Sequence, residues 1–154
     1  MKAFSTLAVV AALGLSSMAM AGEIRDTTIR ADNADNRATA LDSTALQHIG
    51  VAFGSGQIRD SQIDARNARN RASGQGAVAH QDIGTAEAGG RLDNVQVHAA
   101  NATNQATGRD SVALQQIGRA RNGTIQNVSV FADNAANLAS GRNSRAEQKV
   151  GVVQ

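Results

Sequence analysis

Apolar and polar residues alternate along much of the chain. Val95, Val97, Ala99 and Asn101 share one parity, and Gln96, His98 and Ala100 take the other. Val128, Val130, Ala132 and Asn134 alternate in the same way with Ser129, Phe131 and Asp133. A period of two puts successive side chains on opposite faces of a strand and buries one of them. By the same argument Ser111-x-Ala113-x-Gln115-x-Ile117 is a second strand, with a short strand such as Asn104-Gln105-Ala106 between the two. Residues 34–49 hold enough Ala, Arg, Gln and Leu to pass as a helix. Glycine and asparagine would break such a helix at the same place in every copy of the pattern, so strands are the better reading.

The pattern occurs four times. The pair N-x-x-N appears as Asn33/Asn36, Asn67/Asn70, Asn101/Asn104 and Asn134/Asn137, at steps of 34, 34 and 33 residues. Aligned on these pairs, the opening aliphatics are Ile24, Ile58, Leu92 and Ile125, followed five residues later by Ile29, Ile63, Val97 and Val130. The second half of the unit is Ser43-x-Ala45-x-Gln47-x-Ile49-Gly50, then Ala77-x-Ala79-x-Gln81-x-Ile83-Gly84, Ser111-x-Ala113-x-Gln115-x-Ile117-Gly118 and Ser144-x-Ala146-x-Gln148-x-Val150-Gly151. Gly74, Gly108 and Gly141 share one aligned position, where the first copy has Ala40. The units run 23–56, 57–90, 91–123 and 124–154.

Repeats of this length with three short strands predict an all-β fold, a β-solenoid of four stacked coils. Equivalent strands then stack in parallel about 4.8 Å apart, giving a rod of about 19 Å. The expected inward columns are Ile/Leu, Ile/Val, Ala, Asn and Gln. The ladder residues are Asn33, Asn67, Asn101 and Asn134, then Asn36, Asn70, Asn104 and Asn137, Gln47, Gln81, Gln115 and Gln148, and Ile49, Ile83, Ile117 and Val150. Stacked amides hydrogen-bond to their copies above and below and fix the register. The expected turn glycines are Gly50, Gly84, Gly118, Gly151, Gly74, Gly108 and Gly141. The fourth unit keeps the pattern and shows no distinct cap, which predicts growth by stacking at both ends.

The columns carried by Ser111-x-Ala113-x-Gln115-x-Ile117-Gly118 and Asn104-x-Ala106 are similar to those of curlin repeats. The stretch from Asn94 to Gln105 resembles the repeat of Fap-type fibre subunits. The resemblance covers the whole chain after the first 21 residues. The unit is longer than a curlin repeat, and the long linkers and terminal cysteine pair of Fap-type subunits are missing. The resemblance implies a bacterial functional amyloid, an extracellular fibre or biofilm-matrix subunit exported unfolded and assembled by nucleated growth.

Composition agrees with the strand reading. There is no proline, which would remove a ladder donor, and only three aromatics, all Phe, stand among 154 residues. There is no cysteine, which excludes disulfides, thiol catalysis and thiolate metal sites. The formal charge is +2 and arginine forms no run, so specific nucleic-acid binding is not expected. Lys2, the apolar stretch Leu7 to Leu15 and the small residues Ala19 and Ala21 predict a cleaved signal peptide over 1–21. That apolar stretch is short for a membrane span.

No catalytic constellation stands out, and no cofactor or metal is expected. His48, His80 and His98 fall at three different repeat positions and read as exposed surface histidines. Outward Leu46, Val112 and Leu114 are expected to pack against another layer of the same coil in preference to a neighbouring chain. The expected function is therefore a secreted, non-enzymatic structural subunit that passes through the periplasm to the cell surface. Its expected partners are itself, end to end, or a related repeat subunit, with outer-membrane export machinery and a polysaccharide as further partners. The alternatives are a minor nucleator or anchor of such a fibre, and a soluble solenoid adhesin that holds a glycan on an outer face.

Overall fold

A computed structural model describes residues 18–19, 23–54 and 56–151. Most of the segment predicted to direct export, residues 1–17 and 20–21, lies outside the described residues. Met18–Ala19 forms a two-residue strand, β1, paired in parallel with Val51 and Ala52.

The described chain is an all-β solenoid of four coils. The first coil contains β2 (Glu23–Arg25), β3 (Thr28–Asp32), β4 (Asp35–Thr39) and β5 (Thr44–Ala52). The second contains β6 (Gln57–Arg66), β7 (Arg69–Ser73) and β8 (Val78–Ala86). The third contains β9 (Arg91–Ala100), β10 (Thr103–Thr107) and β11 (Val112–Ile117). The fourth contains β12 (Thr124–Gln126), β13 (Ser129–Asp133), β14 (Ala136–Ser140) and β15 (Arg145–Val150). Three parallel sheets result. The first face stacks β2 and β3, β6, β9, then β12 and β13; the second stacks β4, β7, β10 and β14; the third stacks β5, β8, β11 and β15.

Register is strict. Ile63 pairs with Ile29 and Val97, Asn70 with Asn36 and Asn104, and Gln81 with Gln47 and Gln115. Slipping by one residue would carry every buried side chain to the solvent face, which is why the alternation specifies the pairing so firmly.

The interior has two parts. Behind the first face, Ile58, Ile63, Ile83, Leu92, Val97 and Ile117 are fully buried in an aliphatic column stack. Between the second and third faces the apolar part of the core is alanine: Ala45, Ala72, Ala77, Ala79, Ala106 and Ala113. Alanine keeps these two sheets close enough for an amide side chain to span the gap.

Corners are made by residues in the left-handed region. The column Asn33, Asn67, Asn101 and Asn134 has φ of 57°, 51°, 54° and 53°. Asp26, Asp60, Asn94 and Asn127 make a second such column, Asp42, Gly76, Asp110 and Asn143 a third, and Gly50, Gly84, Gly118 and Gly151 a fourth. A left-handed residue between strands breaks the alternation: Ala99 is inward, Ala102 is inward again, and the corner residue Asn101 is exposed. The reading that placed Asn33, Asn67, Asn101 and Asn134 on the inward parity is thereby corrected. Asparagine is there because it tolerates positive φ. These amides still form a ladder, but on the outside, with Asn67 donating to Asn33 at 3.0 Å and Asn101 to Asn67 at 3.1 Å.

Among the described residues no second layer of the coil covers the outer side of the third face at Leu46, which is 53% exposed, while Val112 and Leu114 are half-buried. The expectation of intramolecular packing there is not met at Leu46; farther along the same face Phe53 packs on the outward ring of His48.

Candidate functional site

In a protein of this shape the chemistry lies in its columns and at its two ends. Asn36 donates to Asn70 at 3.0 Å, Asn70 to Asn104 at 2.9 Å, and Asn104 to Asn137 at 2.9 Å. The same nitrogens reach across the alanine gap to main-chain carbonyls of the third face. Asn70 meets the carbonyls of Ala45 and His80, both at 2.9 Å, and Asn104 those of Ala79 at 3.0 Å and Leu114 at 2.8 Å. Asn70 and Asn104 are essentially buried, so their amides serve where no water enters.

The glutamine column runs the other way. Gln81 donates to Gln47 at 2.5 Å, Gln115 to Gln81 at 2.7 Å and Gln148 to Gln115 at 2.6 Å. Each also donates to the corner carbonyl between the first and second faces, Ala34, Ala68, Ala102 or Ala135. The inner asparagine column thus donates toward the last coil, and the glutamine and outer asparagine columns toward the first.

The glycines show why the coils fit so closely. A Cβ on Gly84 would stand 2.7 Å from Val97 Cγ2, and one on Gly118 would stand 2.4 Å from Val130 Cγ2. A Cβ on Gly74 would lie 1.8 Å from the carbonyl oxygen of Ala40, and on Gly108 it would lie 1.9 Å from that of Gly74. At these positions the neighbouring coil occupies the space of a side chain.

At the fourth-coil end of the described rod the columns stand open; at the first-coil end they are half-open on the first and second faces, while on the third face Ala45, Gln47 and Ile49 are buried and β1 is paired onto β5. Ile29, Ala31, Asn36 and Ala38 of the first coil are only half-buried, as are Val130, Ala132, Asn137 and Ala139 of the fourth. Their counterparts Ile63, Ala65, Asn70 and Ala72 in the second coil are closed off. Gln148 is exposed and Val150 is 40% exposed, whereas Gln115 and Ile117 are fully buried. The fourth coil therefore presents Val130, Asn137, Gln148 and Val150 in the positions that the first coil fills with Ile29, Asn36, Gln47 and Ile49.

One titratable cluster was missed in the sequence. Asp82 is 1% exposed, with an oxygen 3.0 Å from Nδ1 of His48 and another 3.0 Å from Nε2 of His80. His80 also meets Gln116 Nε2 at 3.0 Å, and His48 packs edge-on against the ring of Phe53 at 5.3 Å. Burial would push the Asp82 carboxyl up, but the two imidazoles outweigh it and hold it below the ordinary carboxylate range. Contact with Asp82 raises the His80 imidazole against a smaller effect of burial. The reading of these histidines as exposed is corrected: His48 is the direct register partner of Asp82 in the next coil and His80 lies two residues before Asp82 on the same strand, so both reach one carboxylate. The signal was Asp82 itself, a lone acid in the column His48, Asp82, Gln116, Lys149. His98 is on the first face, 3.4 Å from Asp64 and 3.3 Å from Asp133. Among the described residues no group of three or more His, Asp or Glu is placed to hold a metal ion.

No protein-family model matches the chain, and no curated protein or solved structure matches it.

Proposed function

We propose that this protein is a secreted structural subunit that polymerises by stacking its coils end on end, as curlin-like and Fap-like fibre subunits do. One observation carries the reading: the open surface of the fourth coil carries, column by column, the residues that match those of the first coil, so removal of residues 1–21, with β1, would let the two coils meet in register. A second molecule docked in register would continue the Asn and Gln ladders, with Asn137 donating to the partner's Asn36 and the partner's Gln47 donating to Gln148. It would also bury the half-open aliphatic columns, each fully buried aliphatic contributing about 1.5–3 kcal/mol. Export across the cell envelope and residence at the cell surface belong to the same proposal, and it assigns no catalysis.

The test is assembly of the purified chain lacking residues 1–21 at micromolar concentration. Protease-resistant fibrils with a reflection near 4.8 Å along the fibre axis are expected. A monomer of constant size over several days would overturn the proposal.

One observation favours the second reading, a minor nucleating or terminal subunit. Gly74, Gly108 and Gly141 have φ of 138°, 136° and 125° and leave room for the carbonyl of the coil before them, but the first coil has Ala40 at this position. Ala40 does not take the positive φ of those glycines, so the corner of the first coil departs from the shape that receives a preceding carbonyl in the later coils. On this reading growth starts from the fourth coil only. Ala40→Gly then separates the two readings. If the variant polymerises much faster than the natural chain, the first coil is a built stop. If both grow alike, the subunit is a repeating one.

A further inference from the structure

The arginines scattered through the sequence are sorted by the fold. On the first face and its flanks, Arg25, Arg30, Arg59, Arg66 and Arg91 each lie within 4.0 Å of an aspartate or glutamate. On the third face Arg145 pairs with Glu147. The second face is different. Arg37, Arg69 and Arg71 point outward and are exposed, and among the described residues none has an ion-pair partner. Arg37 and Arg71 are direct register neighbours, and Arg69 stands beside Asp35, the one acid on this face. Two such guanidiniums about 4.8 Å apart repel each other and cost stability unless an anion lies over them.

The rest of the face points to the kind of anion. Its third outward column is hydroxyl throughout, Thr39, Ser73, Thr107 and Ser140, and the third coil adds Thr103 and Gln105. The adjoining turn brings Arg109 and Arg142, with Asp42 and Asp110 as the acids there; Asp110 already accepts from Asn143 at 2.9 Å. No aromatic side chain lies on the second face, so the stacking platform that single-stranded nucleic acid uses is missing. Guanidinium forks suit carboxylates, and a row of hydroxyls and amides suits sugar hydroxyls.

We infer that the second face is a binding surface for an acidic, carboxylate-bearing polysaccharide, held by Arg37, Arg69 and Arg71 beside the hydroxyl column. The surface lies along the side of the rod, away from both ends, so the inference does not rest on the stacking proposal and applies to monomer and polymer alike.

The experiment measures binding of the purified protein to immobilised alginate, with neutral dextran and duplex DNA as comparisons. The variant is Arg37→Gln/Arg69→Thr/Arg71→Gln, which for the second coil uses the residues the third coil already carries in those columns. A control removes three paired arginines from the first face: Arg25→Gln/Arg30→Gln/Arg91→Gln. Circular dichroism confirms that both retain the strand spectrum. Binding to alginate that weakens with salt, and falls about tenfold or more in the second-face variant but little in the control, is the expected result. Equal losses in both variants would show overall charge at work and overturn the assignment. Equal binding to dextran, or tighter binding to duplex DNA through the same arginines, would overturn the ligand class. Natural protein that binds alginate without salt dependence would overturn it as well.

Discussion

The amide of Asn70 lies 2.9 Å from the side-chain oxygen of Asn104 in the next coil and 2.9 Å from the carbonyl of His80 on the opposite sheet. One side chain therefore ties stacking along the rod to closure across it. Loss of the amide leaves the carbonyls of Ala45 and His80 and the nitrogen of Asn36 short of a partner. Asn70→Ala is expected to cost about 3 kcal/mol or more, since each buried polar group left unpaired costs about 1–3 kcal/mol. Urea unfolding reads this as a lower midpoint at unchanged slope; a shift under about 1 kcal/mol would show that water replaces the amide.

The outer asparagine at the corner behaves differently. Asn67 has φ of 51° and its side-chain ladder is exposed. Here backbone conformation dominates, so Asn67→Gly should be nearly neutral, while Asn67→Val should cost about 2 kcal/mol. Equal damage from both substitutions in thermal unfolding would instead give the outer ladder the larger part.

These two asparagines also show what could be read from the sequence. The fourfold pattern gives the strands, the parallel register and the inner columns, because a side chain that repeats every 33 or 34 residues must stack on its own copy. The phase slips are harder to see. Strict alternation carried through Asn101 puts it inside, but one left-handed residue resets the parity and sends it out. The corner at Asp26, Asp60, Asn94 and Asn127 was hidden for the same reason, although the Asp/Asn column was in the sequence. The Asp82 cluster was legible only in part: His80 and Asp82 share one face of one strand, but His48 meets them only once the repeat alignment is read as stacking of the column His48, Asp82.

That cluster gives the fold a pH dependence. The Asp82 carboxyl is held low, so its contribution is present above the ordinary carboxylate range and is lost as pH falls through its lowered value. The His80 imidazole is raised, so its contribution is complete below the ordinary imidazole value and is lost as pH rises through the raised one. Stability attributable to the pair should therefore be greatest between these two limits and decline on both sides. Asp82→Gln matches the third coil at this position and should flatten the profile. Chemical unfolding at a series of pH values checks this; a variant profile parallel to that of the natural protein would refute the role of Asp82.

Gly151 offers the sharpest separation of folding from assembly. Along the rod each corner glycine faces a β-branched side chain of the following coil: Gly50 faces Ile63, Gly84 faces Val97 and Gly118 faces Val130. Gly151 is the fourth member, and around it the nearest atom to an added Cβ is 4.0 Å away, at Val130 Cγ2. In a stacked pair its next neighbour would be Ile29 of the second molecule. Gly151→Ala should therefore cost the single chain only the strain of its φ of 61°, about 1–2 kcal/mol. The same methyl would meet the incoming coil as a Cβ on Gly84 meets Val97. Fibre elongation from preformed seeds should slow by about tenfold or more, since each 1.4 kcal/mol lost at the junction is a factor of ten. Gly84→Ala should do the reverse and destabilise the subunit itself. Elongation of Gly151→Ala at the natural rate would mean that growth does not pass through the fourth coil in this register.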